Sequence, residues 1–155
     1  MNVRCAKRTD ARGIALVLFK SYNISCLKEG EDAFKNEIKR GYRYVVMEKD
    51  NKIIGAASWI MHGLPKHGLA ELDRIALLPE FRGKGHAMKL FKFLLADIKQ
   101  FYKNNDSRLR KLYLLTHEDN VRAQNFYKKL GFKKEAVLRD HFYKGKNEYV
   151  FSMFF

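Results

Sequence analysis

Two segments of this chain combine residue types and spacings that could do chemistry. The first is Ile75-Ala-Leu-Leu-Pro-Glu-Phe-Arg-Gly-Lys-Gly-His-Ala87, which runs from an apolar stretch into residues spaced like a helix. Gly83 and Gly85 let a backbone approach a ligand closely, because no Cβ stands in the way. The first N–H groups of a helix lack partners within it and carry partial positive charge, which suits a phosphate. Arg82 and Lys84 add formal charge at the same place. The Lys-Ser/Thr that closes a Walker loop is missing, and the spacing is not GxGxxG. The expectation is an anion-holding turn between a strand and a helix.

The second segment is Asn120-Val-Arg-Ala-Gln-Asn-Phe-Tyr-Lys-Lys-Leu-Gly-Phe132. Asn120 opens a helix with Ala123, Phe126, Tyr127 and Leu130 on one face, and Gly131 stops it. An asparagine amide can pair with the amides of an extended ligand, and a buried tyrosine hydroxyl needs a partner. Carboxylates occur ahead of the first segment. Glu71 and Asp73 share a strand face by period two, and Glu29, Glu31 and Asp32 cluster earlier. The histidines show no metal spacing, and Cys5 and Cys26 form no CxxC pair, so no metal is expected.

The elements that must position these residues follow from pattern. Val3–Arg8 reads as a strand and Ala11–Lys20 as a helix behind Thr9-Asp10. Asp32–Arg40 reads as a second short helix. Tyr42–Glu48 and Lys52–Ile60 form a hairpin around Asp50-Asn51. Leu69–Leu77 is a strand ending before Pro79, and Lys84–Tyr102 is a helix with apolar residues at spacings of three and four. Lys111–Thr116 is a strand, and Phe132–Arg139 and Asn147–Phe155 close the chain around Lys144-Gly145-Lys146. The order β α α β β β α β α β β predicts a mixed α/β fold. Leu69 to Thr116 should be a right-handed parallel crossover, with antiparallel hairpins around it.

Composition bounds the rest. The chain has 155 residues, 46% of them hydrophobic, with 31 Lys and Arg against 17 Asp and Glu. One domain over residues 1–155 is expected, and so many apolar side chains exclude disorder. No run is long enough to span a membrane and no apolar signal core opens the chain, so the expected compartment is cytoplasmic. The net charge of +14 is uneven, at +4 before Arg82 and +10 from there on. A basic second half expects an anionic partner: a nucleic acid, an acidic membrane or a polyphosphorylated small molecule.

Taken together, the two segments resemble the GNAT superfamily of N-acetyltransferases. Arg82-x-x-Gly85-x-Ala87 is similar to its Q/R-x-x-G-x-G/A acetyl-CoA loop, with Ala87 where many members have Gly. Asn120-x-x-Ala123-x-x-Phe126-Tyr127-x-x-x-Gly131-Phe132 is similar to its second signature. The resemblance implies a mostly antiparallel sheet of about seven strands with one splayed parallel pair, and about four helices. It implies acetyl-CoA as donor, with pantetheine beside Ile75, Ala76 and Leu77. Arg82, Gly83, Lys84, Gly85, His86 and Ala87 would hold the pyrophosphate through their N–H groups. Asn120, Ala123, Phe126 and Tyr127 would flank the arm. Leu77 N–H, at a strand-end bulge, would polarise the thioester carbonyl, and Tyr127 would sit near the sulfur as general acid for the departing thiolate.

The acceptor amine must lose a proton first. A lysine of pKa ~10.4 is about one part in a thousand neutral at pH 7, an α-amine near 8 about a tenth. The resemblance points to Glu71 as base, with Asp73 and His117 as alternatives. The closing Arg139–Tyr149 hairpin resembles the branch that acetylates protein N-termini, ribosomal-protein enzymes included. In that branch a hairpin tyrosine, here Tyr143 or Tyr149, holds the peptide. Leu115-Thr-His-Glu-Asp119 lacks the arginine common there. The expected activity is therefore acetyl transfer to a protein or peptide amine, an N-terminal α-amine first. Lysine side chains or polyamines follow, the latter drawn by acidic residues such as Glu29. The reading from another class is a basic nucleic-acid-binding module. A monomer or homodimer is expected.

Overall fold

The computed structural model describes residues 1–155. Apolar alternation and helical spacing are realised as β1 (Asn2–Cys5), α1 (Ala11–Ser21), α2 (Leu27–Lys39), β2 (Arg43–Lys49) and β3 (Lys52–His62). These are followed by β4 (Leu69–Leu77), α3 (His86–Asn104), β5 (Lys111–His117), α4 (Val121–Leu130), β6 (Lys133–Tyr143) and β7 (Lys146–Phe154). Seven strands make one sheet in the order β1-β2-β3-β4-β5-β7-β6. Every pairing is antiparallel except β4 with β5. The β2–β3 turn uses Asp50 and Asn51 at φ 49° and 60°, the left-handed pair that a tight hairpin demands.

The parallel pair is short and then opens. Leu69, Ala70 and Glu71 pair with Lys111, Leu112 and Tyr113, and nothing on β5 pairs with Leu72–Leu77. The apex of this V is tied down firmly. Gly68 C=O accepts from Arg110 N–H at 2.8 Å and Lys111 N–H at 3.0 Å, and Tyr102 Oη donates to Leu69 C=O at 2.6 Å.

Two cores lie on the two faces of the sheet. Under α3 and α4, Trp59, Leu72, Leu94, Ile98, Leu114 and Phe151 are buried together. Under α1 and α2 the core is Ile14, Val17, Leu18, Phe34, Tyr44 and Val46, and it reaches no farther along the sheet than β4. Since Leu112 and Leu114 face α3, alternation turns Tyr113, Leu115 and His117 to the α1–α2 side, where they are half-buried. β6 is an edge strand, exposed along nearly its whole length. No helix is long and apolar enough to cross a membrane.

Two boundaries differ from expectation by more than three residues. α2 starts at Leu27, five residues ahead of Asp32. Gly30 does not interrupt it; a Cβ there would lie 3.0 Å from Ala15 Cα, so the glycine lets α1 and α2 approach closely. The last hairpin is tighter than expected, with only Lys144-Gly145 between β6 and β7.

Candidate active site

The free edge of β4 inside the V is where the backbone offers unpaired groups. Leu78 N–H donates to Ile54 C=O at 2.9 Å, which makes Leu77 and Gly55 a non-hydrogen-bonded pair. Leu77's own N–H and C=O therefore point away from β3, into the opening, as do those of Ile75 two residues back. Leu77 C=O accepts from Arg82 Nε at 3.0 Å. The Ile75 groups are both met by one side chain. Its N–H donates to Tyr22 Oη at 3.1 Å, and Tyr22 Oη stands 3.2 Å from its C=O. Tyr22 was not singled out from sequence. The register shift on β4 falls at Asp73 rather than at the strand end, because Ser58 pairs with Arg74 and Trp59 with Leu72. A bulge there turns Asp73 and Arg74 both toward the α1–α2 side and breaks the alternation.

The loop after β4 leads into α3 with no side chain capping its first N–H groups. Gly83 and Gly85 sit at φ 74° and 82°, where an L side chain is strained. A Cβ on either would meet nothing within 4 Å, so the space above the loop is open. Arg82 does not reach into that space. Its guanidinium bonds Leu77 C=O, Ser21 Oγ at 3.1 Å and Lys20 C=O at 3.4 Å, stapling the end of α1 to β4. Lys84 Nζ donates to Glu80 C=O at 3.1 Å. Both cationic side chains are thus engaged within the protein, and the first N–H groups of α3 have no side-chain cap. An open cradle beside a free strand edge fits a ligand with a pyrophosphate and an amide-bearing arm, such as acetyl-CoA.

The opposite wall of the V is β5 and α4. Asn120 caps α4, its Oδ1 accepting from Ala123 N–H at 3.1 Å. Gln124, unremarked in the sequence, is buried, and its Nε2 donates to His117 and Glu118 C=O at 3.1 and 2.9 Å, tying α4 to the end of β5. The Tyr127 ring packs against Phe126, Phe132 and Phe151 at 5.7, 6.0 and 6.4 Å between centroids. Burial pushes its phenol well above the ordinary value, and the neighbouring Tyr22 phenol adds to the shift. Tyr22 is itself held up at about 12, first by the burial of its hydroxyl against β4, although 37% of the residue is exposed. Both phenols are therefore neutral at pH 7.

On the α1–α2 side of β4 lies an acidic group. Burial pushes Asp73 up to about 6; Glu37 and Glu71 add to the shift, while Arg74 and a hydrogen bond from Ser58 oppose it. Arg74 is held by Glu37 at 2.5 Å and bonded to Tyr44 Oη at 3.0 Å, and it stands 3.8 Å from Asp73. Glu71 accepts from His62 Nε2 at 3.3 Å, and its charge helps to raise the Tyr113 phenol, which burial raises first. It sits at the apex, on the last paired residue of β4, whereas Asp73 is two residues nearer the free N–H groups.

Of the remaining residues expected at the acceptor side, Tyr143 lies against the α1–α2 connection and Glu29 in the first turn of α2. Asn23 Nδ2 donates to Tyr143 Oη at 3.1 Å, so the α1–α2 connection meets the last hairpin. The Tyr143 ring is 6.0 Å from that of His117, which pairs with the buried Glu148. Glu29 lies in the first turn of α2, its carboxylate accepting from Ser25 N–H at 2.7 Å. Glu31 pairs with Arg12 and Asp32 with Lys28. This cluster is paired with residues of α1, α2 and the turn between them, at a helix start that favours negative charge. No group of three or more His, Cys, Asp or Glu is arranged to hold a metal.

Comparison with known proteins agrees with this geometry. The spermine/spermidine N(1)-acetyltransferase of Bacillus subtilis is 28% identical over 104 residues, 63% of this chain and 63% of its own length. The N-alpha-acetyltransferase of Saccharolobus solfataricus is 34% identical over 76 residues, 49% of this chain and 42% of its own. The chain thus spans less than two thirds of these relatives' length. The ribosomal-protein-S18-alanine N-acetyltransferase of Escherichia coli superposes with a TM-score of 0.79 at 15% identity, over 98% of this chain and 92% of that one. Residues 14–132 match the Acetyltransferase (GNAT) family, a span holding the splayed β4, the glycine loop and the Tyr127 helix alike. The splayed strand, the loop and the match over most of its length agree: this chain belongs to the GNAT acetyltransferase family.

Proposed function

We propose that this protein is an N-acetyltransferase that moves the acetyl group of acetyl-CoA directly to a primary amine held on the α1–α2 side of β4. The observation that carries the reading is the pairing of two features on one strand: an edge of β4 that no strand pairs, with Leu77 N–H free on it, and a half-buried carboxylate, Asp73, beside it. Acetyl-CoA supplies an activated thioester. The N–H groups of Gly83–Ala87 hold its phosphates, and Asn120, Ala123 and Phe126 line the far wall of the opening. Leu77 N–H, with Ile75 N–H once vacated, donates to the carbonyl oxygen on which charge develops. Asp73, near 6, takes the acceptor's proton, and Glu71 holds the ammonium before that transfer.

Tyr127 keeps its proton at neutral pH, since its phenol lies above the ordinary value. A thiol of pKa ~8.5 is more acidic than such a phenol, so outright proton transfer to the sulfur is uphill. Tyr127 therefore stabilises the departing thiolate by donating a hydrogen bond to it.

The acceptor is a protein or peptide N-terminus. The sheet face over β5 and β7, beyond the helices, leaves room for an extended chain, and Tyr143 and Asn23 bridge its edge. An α-amine near 8 also asks less of a base at 6 than a lysine does. A second reading, a polyamine, is favoured by one observation: Glu37, Glu71 and Asp73 put three carboxylates near one arginine in a protein of net charge +14. The test is thiol release from acetyl-CoA with one short peptide, N-terminus free or blocked, and with spermidine. The free peptide should have the highest kcat/KM. If spermidine leads and both peptides are poor, the acceptor is the polyamine; if no amine releases thiol, the acetyltransferase reading falls.

A further inference from the structure

We propose that Tyr22 is a positioning residue that reserves the Ile75 edge of β4 and gives it up to the amide-bearing arm of the donor. This inference rests on the reading of the V as the acetyl-CoA site. The hydroxyl of Tyr22 stands 3.1 Å from Ile75 N and 3.2 Å from Ile75 O. It accepts from the N–H, and its own proton is aimed at the C=O. One phenol thereby presents to the strand the same acceptor and donor that an added amide would present. Its elevation to about 12 keeps the O–H in place across the working pH range.

The position is built rather than incidental. Tyr22 is the residue at which α1 ends in extended conformation, and its N–H still bonds Leu18 C=O at 2.8 Å. Arg74, fixed by Glu37, stands 5.6 Å from the centre of the Tyr22 ring. Arg82 holds the preceding residues, Lys20 and Ser21, against the end of β4. A strand edge left empty here would carry an N–H with no protein partner. Tyr22 meets that N–H in the free protein, and anything pairing with the edge must displace it.

Displacement would also be felt at the acceptor side. Asn23, the next residue, bonds Tyr143 on the last hairpin. Moving Tyr22 off Ile75 pulls on the contact that bridges the acceptor groove, so donor occupancy and groove shape are linked through two adjacent residues.

The experiment is calorimetric titration of CoA into the wild type and into Tyr22→Phe, with the Ile75 amide followed by NMR in ¹⁵N-isoleucine-labelled protein. Without the hydroxyl the ring cannot bond either Ile75 group, so the free state is raised and the bound state is untouched. CoA should bind about threefold to tenfold more tightly to the variant, as expected for removing a competing neutral hydrogen bond. The Ile75 resonance of the free variant should already differ from that of the free wild type. Equal or weaker CoA binding by folded Tyr22→Phe overturns the placeholder role. Gly85→Val, which fills the cradle at a strained φ, keeps the two readings apart. It should weaken CoA binding both in the wild-type background and in the Tyr22→Phe background, and unchanged binding would sink the cradle without touching the Tyr22 comparison. If CoA binds neither protein, the donor site and the placeholder fall together.

Discussion

At the scale of single residues, Asp73 joins stability to mechanism. A carboxyl lifted to about 6 in the folded chain, against about 3.9 unfolded, binds its proton more tightly when folded. Its contribution is therefore fully favourable below the unfolded value and declines as pH rises from about 4 to about 6, on the order of 1–3 kcal/mol in all. Asp73→Asn should remove that decline, leaving the variant more stable than the wild type at pH 7 by part of this amount, as read by denaturant unfolding at pH 4 and 7. The same substitution should abolish the rise of kcat/KM through pH 6, whereas Glu71→Gln should lower activity and keep the rise. If Asp73→Asn retains the wild-type pH profile, Asp73 is not the base. For Tyr127, the hydroxyl alone is in question, because its ring is packed among phenylalanines. Tyr127→Phe should keep the fold and CoA affinity and reduce kcat about 10- to 100-fold, the worth of a hydrogen bond to a charged group. Full turnover in that variant would leave Tyr127 only its packing role.

At the scale of elements, the proposed donor site is the V, and Gly68 sets its apex. Gly68 is left-handed at φ 58°, and a Cβ there would come 2.3 Å from Arg108 C=O, a backbone atom that cannot swing aside. Gly68→Ala should destabilise the fold by about 2–3 kcal/mol. It should also weaken CoA binding by disturbing the β4–β5 junction, and thermal unfolding with and without CoA measures both. Much of this architecture was legible beforehand. The strand and helix order, the parallel crossover and the two signature segments follow from periodicity, glycine placement and motif spacing. The start of α2 was not, since the close packing of Gly30 on Ala15 is a contact between two helices that no local pattern shows. Nor was the Asp73 bulge, which depends on the register with β3. Tyr22 reaches Ile75 across 53 positions of sequence, a contact no local pattern contains.

At the scale of the whole molecule, the surplus of positive charge has a use once the donor is anionic. The +10 held from Arg82 onward includes the loop and α3, so the field should draw a phosphorylated ligand toward the V from solution. Because Arg82 and Lys84 are engaged within the protein, much of this attraction is long-range rather than direct contact. CoA affinity should accordingly fall as salt rises from 50 to 500 mM, by about tenfold or less, whereas the loss of a direct charged pair would cost more. A salt-independent Kd would show that the surplus serves solubility alone.

The V has a mechanical consequence as well. Three residue pairs are all that join the ladder of β1–β4 to that of β5–β7–β6, with α3 spanning the joint. The sheet is in effect two plates riveted along one short seam. A ligand lying in the gap and bonding both walls lengthens the seam, so the donor acts as a removable splice. Slow opening of the free protein should start there, with the plate of β5–β7–β6 swinging on its rivets, and turnover should stiffen and release the sheet once per cycle.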